Sequence, residues 1–327
     1  MHILVLGAAG MVGRKLTERL LRDGRLGNGD ITRMTLQDVV APATAKAGFP
    51  IDTVTGDFAV AGFAEKLVAD RPDVIFHLAA IVSGEAELDF DKGYRINLDG
   101  TRMLLDAIRL AGGGYKPRVV FTSSIAVFGA PFPDAIGDEF FQTPLLSYGT
   151  QKAIGELLLA DYSRRGFMDG IGIRLPTICI RPGLPNKAAS GFFSNILREP
   201  LAGKEVVLPV SEDVRHWHAT PRSAVGFLLH AGTMDLAAVG PRRNLTMPGL
   251  SATVGEQIAA LKRVAGDKVA ARIKREPDPF IVGIVGGWPR NFNAKRSLEL
   301  GFTTAEKTFD DIIRIHIEDE LGGNFVA

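Results

Sequence analysis

Tyr148 and Lys152 stand four residues apart in the run Tyr-Gly-Thr-Gln-Lys. On a helix that spacing places both side chains on one face, one above the other. A free phenol titrates near pH 10, and a neighbouring ammonium favours the phenolate. The pair therefore reads as a general base usable near neutral pH. Upstream, Thr122-Ser123-Ser124 closes the apolar run that starts at Arg118. A hydroxyl at such a strand end can hold a substrate oxygen beside the phenol. A Y-x-x-x-K pair alone is common by chance, so the reading depends on what else the chain brings to it.

Gly7-Ala8-Ala9-Gly10-Met11-Val12-Gly13 follows the apolar run His2 to Leu6 and opens a stretch with apolar residues at 12, 16, 20 and 21. The context is strand, loop, helix. Gly7 allows the tight turn, Gly10 lets the backbone approach a pyrophosphate, and Gly13 lets helix and strand pack closely. Ala9, Met11 and Val12 complete a cradle of backbone amides at a helix N-terminus. Asp38 ends the second apolar run, beyond the polar loop Arg22 to Arg33. A carboxylate there accepts hydrogen bonds from ribose hydroxyls and repels a 2′-phosphate, which favours NAD over NADP. A solvated strand-end Asp is the plainer alternative. Asp57-Phe58, after the third run, reads as an adenine-edge contact or as an ordinary turn.

The elements that must position these groups alternate along the chain. Strands are expected at His2–Leu6, Met34–Leu36, Ile51–Thr55, Asp73–Leu78, Arg118–Thr122 and Ile171–Leu175. Helices are expected at 11–21, 63–69, 88–111 and 147–165. The implied architecture is α/β, a doubly wound parallel sheet of the Rossmann type. After about residue 176 Pro and Gly become frequent and the alternation weakens. Residues 1–176 thus read as the NAD-binding domain. Residues 177–327 read as mainly a smaller substrate-binding region, with part of about 215–235 returning to the first domain. Two units suit a chain of 327 residues.

Composition narrows the partners. With 38 basic and 37 acidic residues the net charge is +1, giving no reason to expect nucleic acid or an anionic membrane surface. No stretch approaches the roughly 18 apolar residues of a membrane span, and the N-terminal run lacks the basic flank of a signal peptide. The one cysteine, Cys179, sits in an apolar stretch and reads as a small buried residue, which fits a reducing cytoplasm. His216 and His218, at i and i+2 with no third partner nearby, do not make a metal site.

Taken together, the motifs resemble the extended short-chain dehydrogenases/reductases, the NAD-dependent epimerase/dehydratase family. The family pattern runs in order through Gly7-x-x-Gly10-x-x-Gly13, Asp38, Asp57, His77-Leu78-Ala79-Ala80, Asn97-Leu98-Asp99-Gly100-Thr101, Ser123 to Gly129 and Tyr148-x-x-x-Lys152. The resemblance spans residue 1 to about 180. It implies that Leu78, Ala79, Ala80 and Pro176 line the cofactor and that Asn97 supports the site. It also implies that Ser124 rather than Ser123 is the hydroxyl partner of Tyr148, that Lys152 holds the nicotinamide ribose, and that the protein is a homodimer built on two long helices.

Reactions within this family share a hydride transfer and differ in the later steps. The acid that dehydratases carry at the fifth strand end is missing from Ser124-Ile125-Ala126. The epimerase segment Arg-Asp-Phe-x-His-Val survives only as Arg215-His216-Trp217-His218-Ala219-Thr220, and Tyr-Gly-Pro after the sixth strand is replaced by Leu175-Pro176-Thr177. The runs His2 to Leu16, His77 to Thr101 and Arg174 to Gly183 instead resemble members that oxidise the C2 carbinol of a small sugar acid. Such a substrate needs a cation for its carboxylate, ideally a bidentate arginine. Arg181, Arg215 and Arg290 are the candidates. Ser83 is placed to meet a substrate hydroxyl. Trp288 reads as a pocket cap or, more plainly, as a core or surface aromatic. Competing readings are a UDP-hexose 4-epimerase and a non-catalytic NAD-binding protein.

Overall fold

The computed structural model describes residues 1–183 and 190–327. In chain order the strands that matter are β1 (His2–Leu6), β2 (Arg33–Asp38), β3 (Ile51–Thr55), β4 (Val74–His77), β5 (Arg118–Ser124), β6 (Asp169–Leu175), β7 (Thr177–Ile178), β8 (Arg215–Ala219), β9 (Asn244–Thr246) and β10 (Leu250–Thr253). One parallel sheet has the order β9-β6-β5-β4-β1-β2-β3. A smaller sheet has the order β10-β8-β7.

β1 is buried along its whole length, as expected of a parallel strand covered on both faces. Its side chains alternate. Ile3 and Val5 pack into one apolar cluster with Leu16, Leu20, Phe227 and Leu228. Leu4 and Leu6 pack into another with Leu67, Leu104, Leu105 and Leu159. The covering helices are α1 (Met11–Asp23), α2 (Phe63–Val68), α3 (Thr101–Leu110), α4 (Ser147–Arg164) and, from much later in the chain, α6 (Pro221–Thr233), with α5 (Gly191–Leu201) lying between. α1 shows the reason for its packing: buried Gly13, Leu16, Thr17 and Leu20 recur at helical spacing on one side.

The single long helix expected over 88–111 is interrupted. Phe90–Gly93 leads into a π-helical stretch, Tyr94–Gly100, before α3 begins. The Thr101 hydroxyl donates to the Asn97 carbonyl at 2.7 Å within this stretch, a side-chain bond that competes with the backbone ladder. Such bulges gather at functional sites.

A third apolar cluster joins α5, α7 (Val254–Ala265) and α8 (Phe309–Leu321) with Cys179, Ile180 and the paired strands Val206–Leu208 and Ile273–Arg275. Helix α6 packs back against α1 and β9 extends the large sheet beyond β6, so the later half of the chain also contributes to the core under the large sheet. The chain fills the β2-β3 side first, then crosses β1 to build β4, β5 and β6. That reversal opens a crevice beyond the carboxyl ends of β1 and β4. Among the described residues no helix is long and apolar enough to cross a membrane.

Candidate active site

A cleft of about 430 Å³ occupies that crevice, within the range of small-molecule sites. Its floor is the glycine loop. Gly7 has φ +85°, and a Cβ there would meet the Ala79 amide nitrogen at 2.7 Å, so only glycine lets the loops after β1 and β4 approach. A Cβ on Gly13 would collide with the Gly7 carbonyl. A Cβ on Gly10 would find only the Gly7 oxygen, at 3.3 Å, with open space beyond. Gly10 caps α1 without a side-chain bond, and no acid stands in the first turn. Gly7, Gly10, Met11, Val12 and Gly13 line the cleft, so free amides and the helix dipole face an open cradle. These residues fit a dinucleotide's phosphates.

The Ala9 amide donates to Asp38 Oδ2 at 2.9 Å. Asp38 is half-buried at the strand end, beside the loop and outside the cleft lining. Asp57 and Phe58 depart from the adenine-contact reading. The Asp57 carboxylate is taken up by Arg95 at 2.6 Å and by the Ala59 amide at 2.9 Å. Phe58 is 3% exposed and packs edge-on against His77. Their side chains serve a turn and the core.

Leu78 and Ala80 line the cleft, followed by Ile81, Val82 and Ser83. Ala79 packs with the core cluster behind them. Asn97 is buried and acts at one remove. Its side chain accepts from the Ile81 amide at 2.9 Å, donates to the Ile81 carbonyl at 3.2 Å and donates to Gln151 Oε1 at 2.8 Å. It thus ties the cleft-lining loop to the helix that carries Tyr148 and Lys152.

Ser124, Tyr148, Lys152 and Pro176 come together at the carboxyl ends of β5 and β6. Ser123 points away: its hydroxyl is committed to Glu156 Oε1 at 2.5 Å. Ser124 Oγ accepts the Ala126 amide, at 3.1 Å, and stands near enough to the phenol to favour its ionised form. Enclosure pushes the Tyr148 phenol up to about 12, against the pull of the Arg181 charge and of Ser124. Lys152 Nζ donates to the Thr122 carbonyl at 2.8 Å and lies 5.8 Å from the Tyr148 ring centre. Burial brings Lys152 itself down to about 7, with Glu156 opposing. The phenol thus stands above its free value, not below it as the Tyr-Lys spacing suggested, and the charge that opposes the rise is that of Arg181.

The three arginines separate cleanly. Arg181 lines the cleft; its Nε donates to the Ile178 carbonyl at 3.0 Å and its Nη2 to Ser190 Oγ at 2.8 Å. Among the described residues no carboxylate lies within ion-pair reach of it. Arg215 lies outside the lining, with its guanidinium given to Glu256 at 3.2 Å and to Ser251. Its substrate-binding reading is corrected accordingly. Arg290 is exposed and also outside. Trp288 lines the cleft, 5.3 Å from His216. Cys179 is fully buried and burial drives its thiol up to about 12, so it is no nucleophile. Among the described residues no group of three His, Cys, Asp or Glu is placed to hold a metal ion.

Three participants escape a reading of the sequence. Glu156 is wholly buried and receives Arg174 at 2.7 and 2.9 Å, Ser123, and the Gln142 side chain. It locks β5, β6, α4 and the loop before α4 into one unit. Its position four residues after Lys152 was the available signal. Arg198 donates to the Arg181 carbonyl at 2.8 Å. Thr177 and His216 form the third feature, a hydrogen-bonded pair on the cleft wall.

Residues 3–219 match the NAD dependent epimerase/dehydratase family. The chain is 46% identical to D-erythronate dehydrogenase of Cupriavidus necator, over 98% of both chains. It is 40% identical to D-erythronate dehydrogenase of Haemophilus influenzae, over 98% of this chain and 100% of that one. A crystal structure of a nucleoside-diphosphate-sugar epimerase from Agrobacterium tumefaciens is 69% identical and superposes with a TM-score of 0.96, over 99% of this chain and 95% of the other. The glycine cradle, the site at the switch point and these likenesses have one reading: the chain belongs to the NAD dependent epimerase/dehydratase family and is an NAD-dependent oxidoreductase.

Proposed function

We propose that the protein oxidises the C2 hydroxyl of a small sugar acid, D-erythronate being the leading case, to the 2-oxo acid. The observation that carries this is Arg181, a cleft-lining guanidinium without a carboxylate partner among the described residues, close enough to Tyr148 to act on its phenol. A cation beside the proton acceptor suits a substrate whose anionic group adjoins the carbinol under attack. A 2-hydroxy acid has that layout.

In this reading Ser124 orients the C2 hydroxyl and Tyr148 Oη, as phenolate, takes its proton. The C2 hydrogen leaves as hydride, the carbinol becomes a ketone, and the carboxylate stays on Arg181. NAD, when bound, would supply the hydride acceptor. Gly7, Gly10, Met11, Val12 and Gly13 would hold its phosphates, Asp38 its adenine ribose, and Lys152 its nicotinamide ribose. Ser83 meets a distal hydroxyl. On the same reading the chain works as a cytoplasmic homodimer. Leu157, 64% exposed on α4, is apolar surface a partner would cover. Sedimentation that gives a monomer, or fractionation that finds the protein outside the cytoplasm, would count against these two points.

A nucleotide-sugar epimerase is the second reading, and the Agrobacterium tumefaciens relative is named as one. In that reading Arg215, kept from the epimerase segment, would hold the nucleotide diphosphate, but it is paired with Glu256 outside the cleft, which favours the dehydrogenase. The two differ in product. NADH formation from NAD and D-erythronate, L-threonate or other short sugar acids supports the dehydrogenase. Silence on the acids with UDP-glucose converted to its 4-epimer refutes it.

A further inference from the structure

Thr177 and His216 face the cleft from the paired strands β7 and β8. His216 Nδ1 lies 2.7 Å from the Pro289 carbonyl oxygen, and Nε2 lies 2.7 Å from Thr177 Oγ1. A carbonyl oxygen only accepts, so Nδ1 carries the ring proton. The ring cannot turn to exchange these partners. It stacks on Phe193 at 5.2 Å with an interplanar angle of 4°, meets His218 edge-on and lies under Trp288. It is 3% exposed, and burial holds its pKa near 4, so at neutral pH Nε2 is bare. The Thr177 hydroxyl proton must then point at Nε2. What Thr177 offers a ligand is oxygen lone pairs only.

We propose that Thr177, its proton held inward by His216, is a specificity-determining residue that accepts a hydrogen bond from a substrate hydroxyl and turns away a second anionic group. This rests on the sugar-acid reading above and sharpens it. Arg181, a few residues along the same segment, has only donors to offer. The cleft thus presents a donor end for one carboxylate and an acceptor end for a hydroxyl. A monocarboxylate with free hydroxyls satisfies both. A dicarboxylate or a phosphate ester would set anionic oxygen against the Thr177 lone pairs and leave both acceptors unpaired.

The test compares kcat/KM for D-erythronate, its 3-deoxy and 4-deoxy analogues, and tartrate, in the native protein and in Thr177→Val and Thr177→Ser. The native protein should lose about tenfold or more on one deoxy analogue, and as much or more on tartrate. Thr177→Val should bring that deoxy ratio to within about threefold of unity, while Thr177→Ser, which keeps the hydroxyl, should preserve it. Undiminished discrimination in Thr177→Val would overturn the proposal. So would tartrate oxidised as fast as D-erythronate by the native protein, a result that needs no variant to fold. Inactivity of the native protein on every acid would overturn the sugar-acid reading and this one with it; activity with unchanged discrimination would overturn this one alone.

Discussion

Replacing Arg181 with glutamine tests the carboxylate site directly. A guanidinium has five N–H donors. Among the described residues two are used internally, one on Ile178 and one on Ser190, and a bidentate grip on a carboxylate needs two of the others. Hydrogen bonds to charged groups contribute about 1.5–3 kcal/mol each, and removing one partner of a buried pair costs about 3–5 kcal/mol. At about 1.4 kcal/mol per factor of ten, kcat/KM for D-erythronate should fall roughly 10²- to 10⁴-fold in Arg181→Gln. Arg181→Lys keeps the charge but loses the fork, so it should fall between. The informative assay follows NADH formation with D-erythronate and with its neutral amide, in parallel with NAD affinity. The native protein should prefer the acid strongly, and Arg181→Gln should lose that preference with NAD affinity unchanged. A variant that still prefers the acid by the native margin would show that the carboxylate binds elsewhere.

Four further perturbations have defined outcomes. Tyr148→Phe should lower turnover by about 10²- to 10⁴-fold while NAD still binds; retained turnover would mean that another group takes the proton. Asp38→Arg should shift selectivity towards NADP, and unchanged NAD preference in initial-rate assays would remove Asp38 from the ribose. Glu156→Ala strands the buried Arg174 guanidinium and should destabilise the fold by about 3–5 kcal/mol, read as a lowered denaturation midpoint; a midpoint within error of the native one would refute the hub. Acid should weaken the fold in a defined window. Burial lowers His216 to about 4 and His77 to about 3, whereas free imidazole titrates near 6.5. Between those values the unfolded chain binds protons that the folded chain refuses, so stability should drop as pH falls from about 6.5 towards 4. His216→Gln should flatten part of that slope in pH-dependent urea melts, and an identical slope would exclude His216 as its source.

What the sequence made legible is what is local. Gly7 to Gly13, Tyr148 with Lys152, and the buried β1 are each readable within a helical turn or a strand, because backbone periodicity alone decides which side chains share a face. The missed features pair residues far apart in the chain. His216 meets both Thr177 and Pro289, Glu156 meets Arg174 and Gln142, and β9 joins β6 across a stretch of some seventy residues whose helix α5 goes into a different apolar cluster. Nothing in the spacing of such residues fixes their contact; the sheet order does.

The arginines show how the two levels combine. Sequence left Arg181, Arg215 and Arg290 equal, since each is a cation near a motif. Folding separates them by what else each one meets. Arg215 finds Glu256 on the first turn of α7, and Arg290 finds solvent. Arg181 is carried by the turn after β7 to the cleft wall, where Arg198 holds its carbonyl, Ser194 its amide and Ser190 one guanidinium donor. Arg181 is half-buried, and a cation drawn out of water is costly unless its charge is answered. Here no described carboxylate answers it, so the ligand that stabilises this site most must bring the anion itself. Binding should therefore stabilise the fold in proportion to ligand charge at that end: D-erythronate should raise the melting temperature of the NAD complex, and its amide should not. A rise of equal size with both would show that Arg181's charge is already satisfied without the substrate.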